Sequence, residues 1–314
     1  MNEVTYAEIR DDDAGQRLDN FLMRKLKGVP RSHIYRIIRG GEVRVNKKRA
    51  TASTRLLAGD RVRIPPIRTA AMKTVHVGEK LEGRLRESIL FEDSSLLVIN
   101  KPAGIAVHGG SGLSLGVIEA LRKTRTDLTY LELIHRLDRD TSGCLLLAKK
   151  RSVLRAVQAL LEAREVKKIY WALLLNPWSG KKTRLVDVPL EKNTLKSGER
   201  IVEVGEGGKA SQTHFKLLEN YRDACWVEAF PKTGRTHQIR VHSAYLRHPI
   251  LGDKKYGATD RSGELELNKT RLYLHARSIQ FTLNGKTHLY EAEPDRRFSD
   301  AIEQLRTRSF LSHE

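Results

Sequence analysis

Cysteine is nearly absent from this chain of 314 residues, which has only Cys144 and Cys225. Two thiols cannot build a disulfide framework or a cysteine zinc site. Both lie in apolar runs, where buried, reduced thiols are expected. Long apolar runs are also missing. None approaches the roughly 20 residues that span a bilayer, and Met1-Asn-Glu-Val-Thr5 lacks the basic-then-apolar pattern of a signal peptide. A cytoplasmic protein with no membrane association is expected. The 11 histidines include His237 and His242, but there is no His-Glu-x-x-His pattern or Cys/His cluster, so no metal site is expected. Acidic residues are scarce, 38 against 57 lysines and arginines, for a net charge of +19. Such an excess calls for a polyanionic partner, most simply nucleic acid.

The positive charge is unevenly placed. After 13 acidic-leaning residues expected to fray, Ala14 to Arg68 carries 15 basic residues against Asp19, Glu42 and Asp60, a net of +12. Leu18, Phe21, Leu22 and Leu26 recur at helical spacing, and Pro30 stops that helix. A second helix, capped by Ser32, would turn Ile34, Ile37 and Ile38 inward and Arg31, Arg36 and Arg39 outward. Gly40-Gly41 ends it. Glu42–Asn46 and Asp60–Ile64 alternate like strands with basic outer faces. Arg44, Lys47 and Lys48 join the three helical arginines as candidate nucleic-acid contacts. Phe21 and Tyr35 are the only aromatics in this window, which argues for recognition of backbone and shape rather than base stacking.

Pro65-Pro66 opens a polar stretch expected to act as a linker over residues 71–87, between a domain at 1–70 and a larger one at 88–314. In the latter, Ile89–Asp93 and Leu96–Asn100 predict a hairpin, and Ser152 predicts the cap of a helix bearing Val153, Leu154, Val157, Leu160 and Leu161. Further strands are expected at Lys168–Leu174, Ser211–Leu218, Cys225–Phe230 and Leu272–Leu283, with a helix from His237 to Leu246. The expected class is α+β: a mixed, mainly antiparallel sheet with flanking helices, plus a small N-terminal α+β domain.

The densest signal is His135-Arg-Leu-Asp138-Arg-Asp-Thr-Ser-Gly143. An apolar run precedes it (Leu131, Leu133, Ile134) and another follows (Cys144–Ala148), so it reads as a tight loop between two buried strands. On spacing alone, Asp138 is either poised for chemistry on an anionic polymer or paired with Arg136 or Arg139 on a surface hairpin. The segment resembles the catalytic motif H-R-L-D-x-x-T-S-G of the pseudouridine synthases that modify ribosomal RNA. Phe91–Asp93, Val98–Gly104, Val107–Gly109, Lys168–Ala172, Thr233–His242, His248–Asp253 and Leu272–Ala276 resemble other segments of that family, and residues 14–68 resemble the alpha-L RNA-binding module.

The resemblance implies an isomerase that converts several uridines of 23S ribosomal RNA to pseudouridine and needs no cofactor and no obligate protein partner. Asp138, not Asp140, would be the catalytic carboxylate. Tyr170 would face the target base and take part in proton transfer at C5, and Arg240 would hold Asp138 ionised and in place. Arg136 would fill the space vacated by the flipped base or hold its phosphate; Arg235 would be a further substrate contact, and His135 either another contact or a structural hydrogen-bonding residue. Asp260–Lys269, a less familiar loop, would bear on substrate choice. A synthase acting on transfer RNA is the alternative, followed by a non-catalytic ribosomal-RNA-binding assembly factor. If the basic segment grips RNA, deleting residues 1–70 should weaken binding and reduce its log–log salt slope by roughly 0.7–0.9 per lost phosphate contact. An unchanged slope in salt-titrated binding would show that the segment does not touch the RNA.

Overall fold

The computed structural model describes residues 3–26, 28–67, 77–109, 115–194, 200–257 and 271–310. The chain divides into two compact units, Met1–His76 and Val77–Glu314.

The first unit is built from β1 (Thr5–Glu8), a 3-10 turn (Asp11–Asp13), α1 (Leu18–Lys25), α2 (Arg31–Arg39), β2 (Arg44–Val45), β3 (Lys48–Arg49) and β4 (Arg61–Ile64). Its sheet has the order β1-β4-β2-β3. Both helices have the expected inward faces: Leu18, Phe21 and Leu22 from α1, and Ile34, Ile37 and Ile38 from α2, pack with Val62 and Ile64. The expected fraying of the first 13 residues is corrected for the stretch from Thr5 to Ile9: β1 pairs with β4, and Ala7 and Ile9 are buried against the same core. Asn46 and Lys47 both have positive φ, which matches the two-residue turn that suits the twist of a hairpin. Arg31, Arg36, Arg39, Arg44, Lys47 and Lys48 are all exposed.

The second unit contains α3 (Glu79–Glu87), β5 (Ile89–Glu92), β6 (Leu96–Lys101), α4 (Val117–Thr124), β7 (Glu132–Leu133), β8 (Ser142–Ala148), α5 (Arg151–Glu162) and β9 (Lys167–Leu175). It continues with β10 (Thr183–Asp187), β11 (Leu190–Thr194), β12 (Arg200–Val204), β13 (Gln212–Asn220), β14 (Ala224–Pro231), α6 (Gln238–Tyr245), β15 (Leu274–Leu283), β16 (Lys286–Glu291) and α7 (Arg296–Phe310). The second half of the expected linker is therefore helical, and α3 buries Leu85 in the core of this unit. The earlier part of that linker and Asp260–Lys269 lie outside the described residues. Ser32 and Ser152 are not caps: α2 and α5 each start one residue earlier, without a side-chain cap.

The main sheet runs β10-β13-β14-β9-β15-β8-β6-β5, with β16 paired to β15 and β7 to β8. Among the described residues every pairing is antiparallel except a short parallel contact between β15 and β8, so the sheet is mixed and mainly antiparallel. Strand β8 is buried on both faces, which is why its sequence is a continuous apolar run rather than an alternating one. Leu145 and Leu147 pack towards α4, while Leu146 and Ala148 pack towards α5. Both cysteines are free and buried, and burial pushes their thiols up to about 12. No helix among the described residues is long and apolar enough to cross a membrane.

The parallel contact pairs His275 with Ser142 and Ala276 with Gly143. Gly143 has φ +109°, and a Cβ there would lie 2.2 Å from the Ala276 carbonyl oxygen. The glycine that ends the acidic loop is thus required by the approach of β15, and this contact fixes where the loop joins the sheet. A Gly143→Ala substitution should lower unfolding stability by at least about 2 kcal/mol, the usual cost of forcing atoms into a filled core. A urea denaturation that places the variant within about 0.5 kcal/mol of the parent chain would contradict this.

Candidate active site

The loop between β7 and β8 carries Asp138 and is held at several points. At its end, His275 donates through Nε2 to the Ala292 carbonyl (2.8 Å), which leaves Nδ1 to accept from the Ser142 hydroxyl (2.9 Å). Burial holds His275 at about 4, and it is neutral in this role. At the loop's middle, fully buried Lys101 donates to the carbonyls of Pro102, Ile105 and Arg139 at 2.9, 2.9 and 3.0 Å. Burial pulls its pKa down to about 7, but three donated bonds require the ammonium, and the carbonyl cradle favours that form. The Gly104 amide also donates to the Arg139 carbonyl (3.0 Å). Two chain segments distant in sequence are thereby tied together beneath Asp138.

The Asp138 carboxylate is 26% exposed and does not pair with Arg136 or Arg139; Arg139 lies 4.0 Å from Asp140 instead. Asp138 Oδ2 lies 3.5 Å from Arg240 Nη1 and 3.9 Å from His237 Nε2. Arg240 comes from α6, so the pairing expected from the resemblance is present, but it is not Arg240's tightest contact. Its Nε and Nη2 each donate to the Asp253 carboxylate at 2.8 Å, a fork that leaves Nη1 for Asp138. The Asp253 side chain is fully buried and also accepts from the Lys255 and Tyr256 amides. Gly252 precedes it with φ +73°, where a Cβ would lie 1.8 Å from the Arg271 carbonyl.

Around this pair sit groups that the sequence did not single out. His237 caps α6 in the left-handed conformation (φ 54°). Its Nδ1 lies 2.7 Å from the Tyr256 hydroxyl, which also accepts from the Val202 amide (3.1 Å). Nε2 faces the Asp138 carboxylate, which can only accept, so Nε2 carries the ring proton and Nδ1 accepts from the Tyr256 hydroxyl. Burial lowers the His237 pKa against the opposing pull of Asp138, which keeps the ring neutral. The Tyr256 ring also lies 5.1 Å from the Arg240 guanidinium carbon. Gln238 is buried and uses both ends of its amide: Oε1 accepts from Thr233 and Arg235, and Nε2 donates to Gln212 and Thr213. His242 is buried between Ser211 and Thr213 and held at about 4, a structural role.

Asp138 stands where two clefts meet. One, of about 890 Å³, is lined by Arg136, His135, Tyr170, Lys168 and Arg235 together with Asp138 and Arg240. The other, of about 650 Å³, shares Arg136, His237 and Arg240 but is flanked by Asp140, Lys254 and Lys255. Both fall in the range of small-molecule sites and are large enough for a nucleotide. Tyr170 sits on β9 beside Ala276. Burial, and then the charge of Asp138, raises its phenol pKa, so Tyr170 is a neutral hydrogen-bonding group at physiological pH and not a base. His135 Nε2 accepts from the Leu146 amide at 3.1 Å and burial holds it at about 4, which fits the structural role. Arg136 and Arg235 are exposed at the cleft, Arg235 anchored through Nε to the Ala210 carbonyl. Among the described residues no group of three His, Cys, Asp or Glu side chains is placed to hold a metal.

A family model described as RNA pseudouridylate synthase matches residues 95–245, and one described as S4 domain matches residues 16–62. The chain is 50% identical over 310 residues, covering 97% of itself and 96% of the relative, to ribosomal large subunit pseudouridine synthase C of Haemophilus influenzae. It is 50% identical over 312 residues, 96% and 97% of the two chains, to the Escherichia coli protein of the same name. Among solved structures, human RNA pseudouridylate synthase domain containing 4 superposes with a TM-score of 0.60 at 28% identity, covering 72% of this chain and 96% of that one.

Replacing Asp253 by Asn removes the charge that anchors Arg240. Leaving one partner of a buried ion pair uncompensated costs about 3–5 kcal/mol. Chemical denaturation of Asp253→Asn should show a loss of that order. An unfolding curve superimposable on the parent's would mean that the Asp253–Arg240 fork does not hold this site.

Proposed function

This chain belongs to the RNA pseudouridine synthase family, and from that premise we propose that it isomerises several uridines of large-subunit (23S) ribosomal RNA to pseudouridine in the cytoplasm. The observation that carries the proposal is the Asp138 carboxylate, set 3.5 Å from the Arg240 guanidinium in a nucleotide-sized cleft that Tyr170 also lines. The ribosomal substrate is inferred from relatives about 50% identical over nearly their whole length, which carry that substrate in their names.

The reaction breaks the N1–C1′ bond, turns the uracil and joins C5 to C1′. C5 loses a proton and N1 gains one, so the change is neither a redox reaction nor a hydrolysis. It requires an ionised carboxylate within reach of C1′ or the pyrimidine ring, whether that group attacks C1′, adds to the ring or takes a proton. Asp138 has that position, and the free Nη1 of Arg240 faces it. Tyr170, kept protonated, packs beside the base and donates a hydrogen bond rather than removing the C5 proton. The target must leave its stack, and exposed Arg136, which lines both clefts, takes the vacated space or the flipped nucleotide's phosphate. A glycosidase would use two cooperating carboxylates. Here Asp253 is locked on Arg240, and Asp140 is half exposed at the rim of the other cleft.

Tritium release from C5-labelled uridine in a ribosomal RNA transcript tests the assignment. Asp138→Asn should lower turnover by at least about 10³-fold while RNA binding and folding persist, and Asp140→Asn should stay within a few-fold of the parent. Free uracil as the product would identify a glycosidase. Near-normal release by Asp138→Asn would overturn the role given to this carboxylate.

A further inference from the structure

The first unit presents a second basic surface besides the arginines of α2. In the register of its sheet, Tyr6 stands opposite Arg63, Arg63 opposite Arg44, and Arg44 opposite Arg49. Directly opposed residues share a face, so one tyrosine and three arginines form a row across four strands. The intervening residues Ala7, Val62 and Ile64 point the other way, into the core shared with Ile34 and Ile37 of α2. The row therefore lies on the outer face of the sheet, away from the helices. Tyr6 is 56% exposed, and the guanidinium carbon of Arg61 lies 4.1 Å from its ring centroid. A cleft of about 930 Å³ runs along this face, lined by Tyr6, Arg44, Lys47, Arg61 and Arg63.

Like charges directly opposed across strands destabilise a sheet. Among the described residues, no carboxylate lies within ion-pair distance of Arg44, Arg49, Arg61 or Arg63. Three acids are nearby: Glu8, opposite Arg61 in the register, Glu42, at the edge of the cleft, and Asp60, which accepts from the cleft residue Asn46. Five cations, counting Lys47, outnumber them. Three of the guanidiniums are oriented by loop carbonyls: Arg63 donates to Glu42 O (2.6 Å), Arg44 to Gly41 O (3.4 Å) and Arg49 to Gly40 O (3.4 Å). The result is an ordered cationic groove that ends at an exposed ring already stacked on a guanidinium.

We propose that this sheet face binds a single-stranded RNA segment, with an unpaired nucleobase stacked on the Tyr6–Arg61 platform and flanking phosphates held by Arg44, Arg63 and Lys47. The proposal builds on the assignment of RNA as substrate and adds to it a site. Aromatic stacking requires an accessible base face, which a duplex does not offer. The expectation of backbone-only recognition rested on Phe21 and Tyr35. Phe21 is buried, and Tyr35 donates to Asp19. Tyr6 reaches the surface from β1, outside that sequence window.

The test uses the full-length protein and a fluorescein-labelled ribosomal RNA hairpin with an unpaired loop, alongside a blunt RNA duplex of the same length. Tyr6→Leu keeps an apolar side chain but removes the π-face. It should weaken hairpin binding by about 5- to 150-fold, the range for loss of one stacked base, without changing the salt slope, because no phosphate contact is lost. Tyr6→Phe should bind within two-fold of the parent, and duplex binding should not respond to either change. Thermal unfolding checks that both variants are folded. Photocrosslinking of the parent chain to the hairpin carrying 4-thiouridine in its loop is the second measurement, and a crosslinked peptide spanning residues 5–8 is expected. Hairpin affinity of Tyr6→Leu within two-fold of the parent, an equal loss on duplex, or crosslinks that avoid β1 and β4 would each overturn the proposal. If the parent binds and crosslinks as expected but releases no tritium, the isomerase assignment fails and the sheet-face site stands.

Discussion

The site depends on one guanidinium held between two carboxylates. Asp253 is fully buried, which is costly for a charge unless its hydrogen bonds are complete. Two donors from Arg240 and two backbone amides supply them. That fork fixes the plane and direction of the guanidinium, and the one nitrogen left over faces Asp138. A lysine could not do this, because an ammonium has no planar fork to divide between two acids. Tyr256 supports the same arrangement twice: its ring lies against Arg240, and its hydroxyl fixes His237, the other nitrogen donor near Asp138.

The sheet decides where this cluster can form. β8 and β15 run parallel for only two residue pairs, and their approach is close enough to require glycine at position 143. Asp138 is on the loop that enters β8 at that point, and Tyr170 is opposite Ala276 on the neighbouring strand β9. The rigid centre of the unit thus delivers two of the groups, and α6 brings Arg240 and His237 over them. Loops carry the chemistry, and the sheet and the Lys101 cradle hold them in position.

The sequence revealed most where burial imposes a pattern. β8 showed as a continuous apolar run because both its faces are covered, and α1 and α2 showed through helical spacing. β1 was missed because four residues make a weak alternation, and its partner β4 is more than fifty residues away. Helix α7 was missed although Phe298, Ala301, Ile302 and Leu305 recur at helical spacing and are buried, because charged residues crowd the positions between them. The edge strand β10 and the separate pair β11-β12 were missed because each strand is short, and β10 and β11 are largely polar. In the site, Asp138, Tyr170 and Arg240 came from the resemblance to known motifs, and the structure brings them together. Asp253 and His237 lay within quoted segments but received no role. A buried acid after the apolar Pro249-Ile-Leu251 needs a cation, and that was the available signal for Asp253. His237 acts through a left-handed backbone position and a contact with Tyr256, neither of which the sequence displays.

The central claim is that this cluster makes pseudouridine in ribosomal RNA. The most direct measurement is a map of pseudouridine in total RNA from cells lacking the protein, complemented by the parent chain or by Asp138→Asn. The account predicts that more than one large-subunit site is lost in the deletion, regained with the parent chain and not regained with the variant. A large-subunit RNA that keeps every pseudouridine in the deletion strain would contradict it.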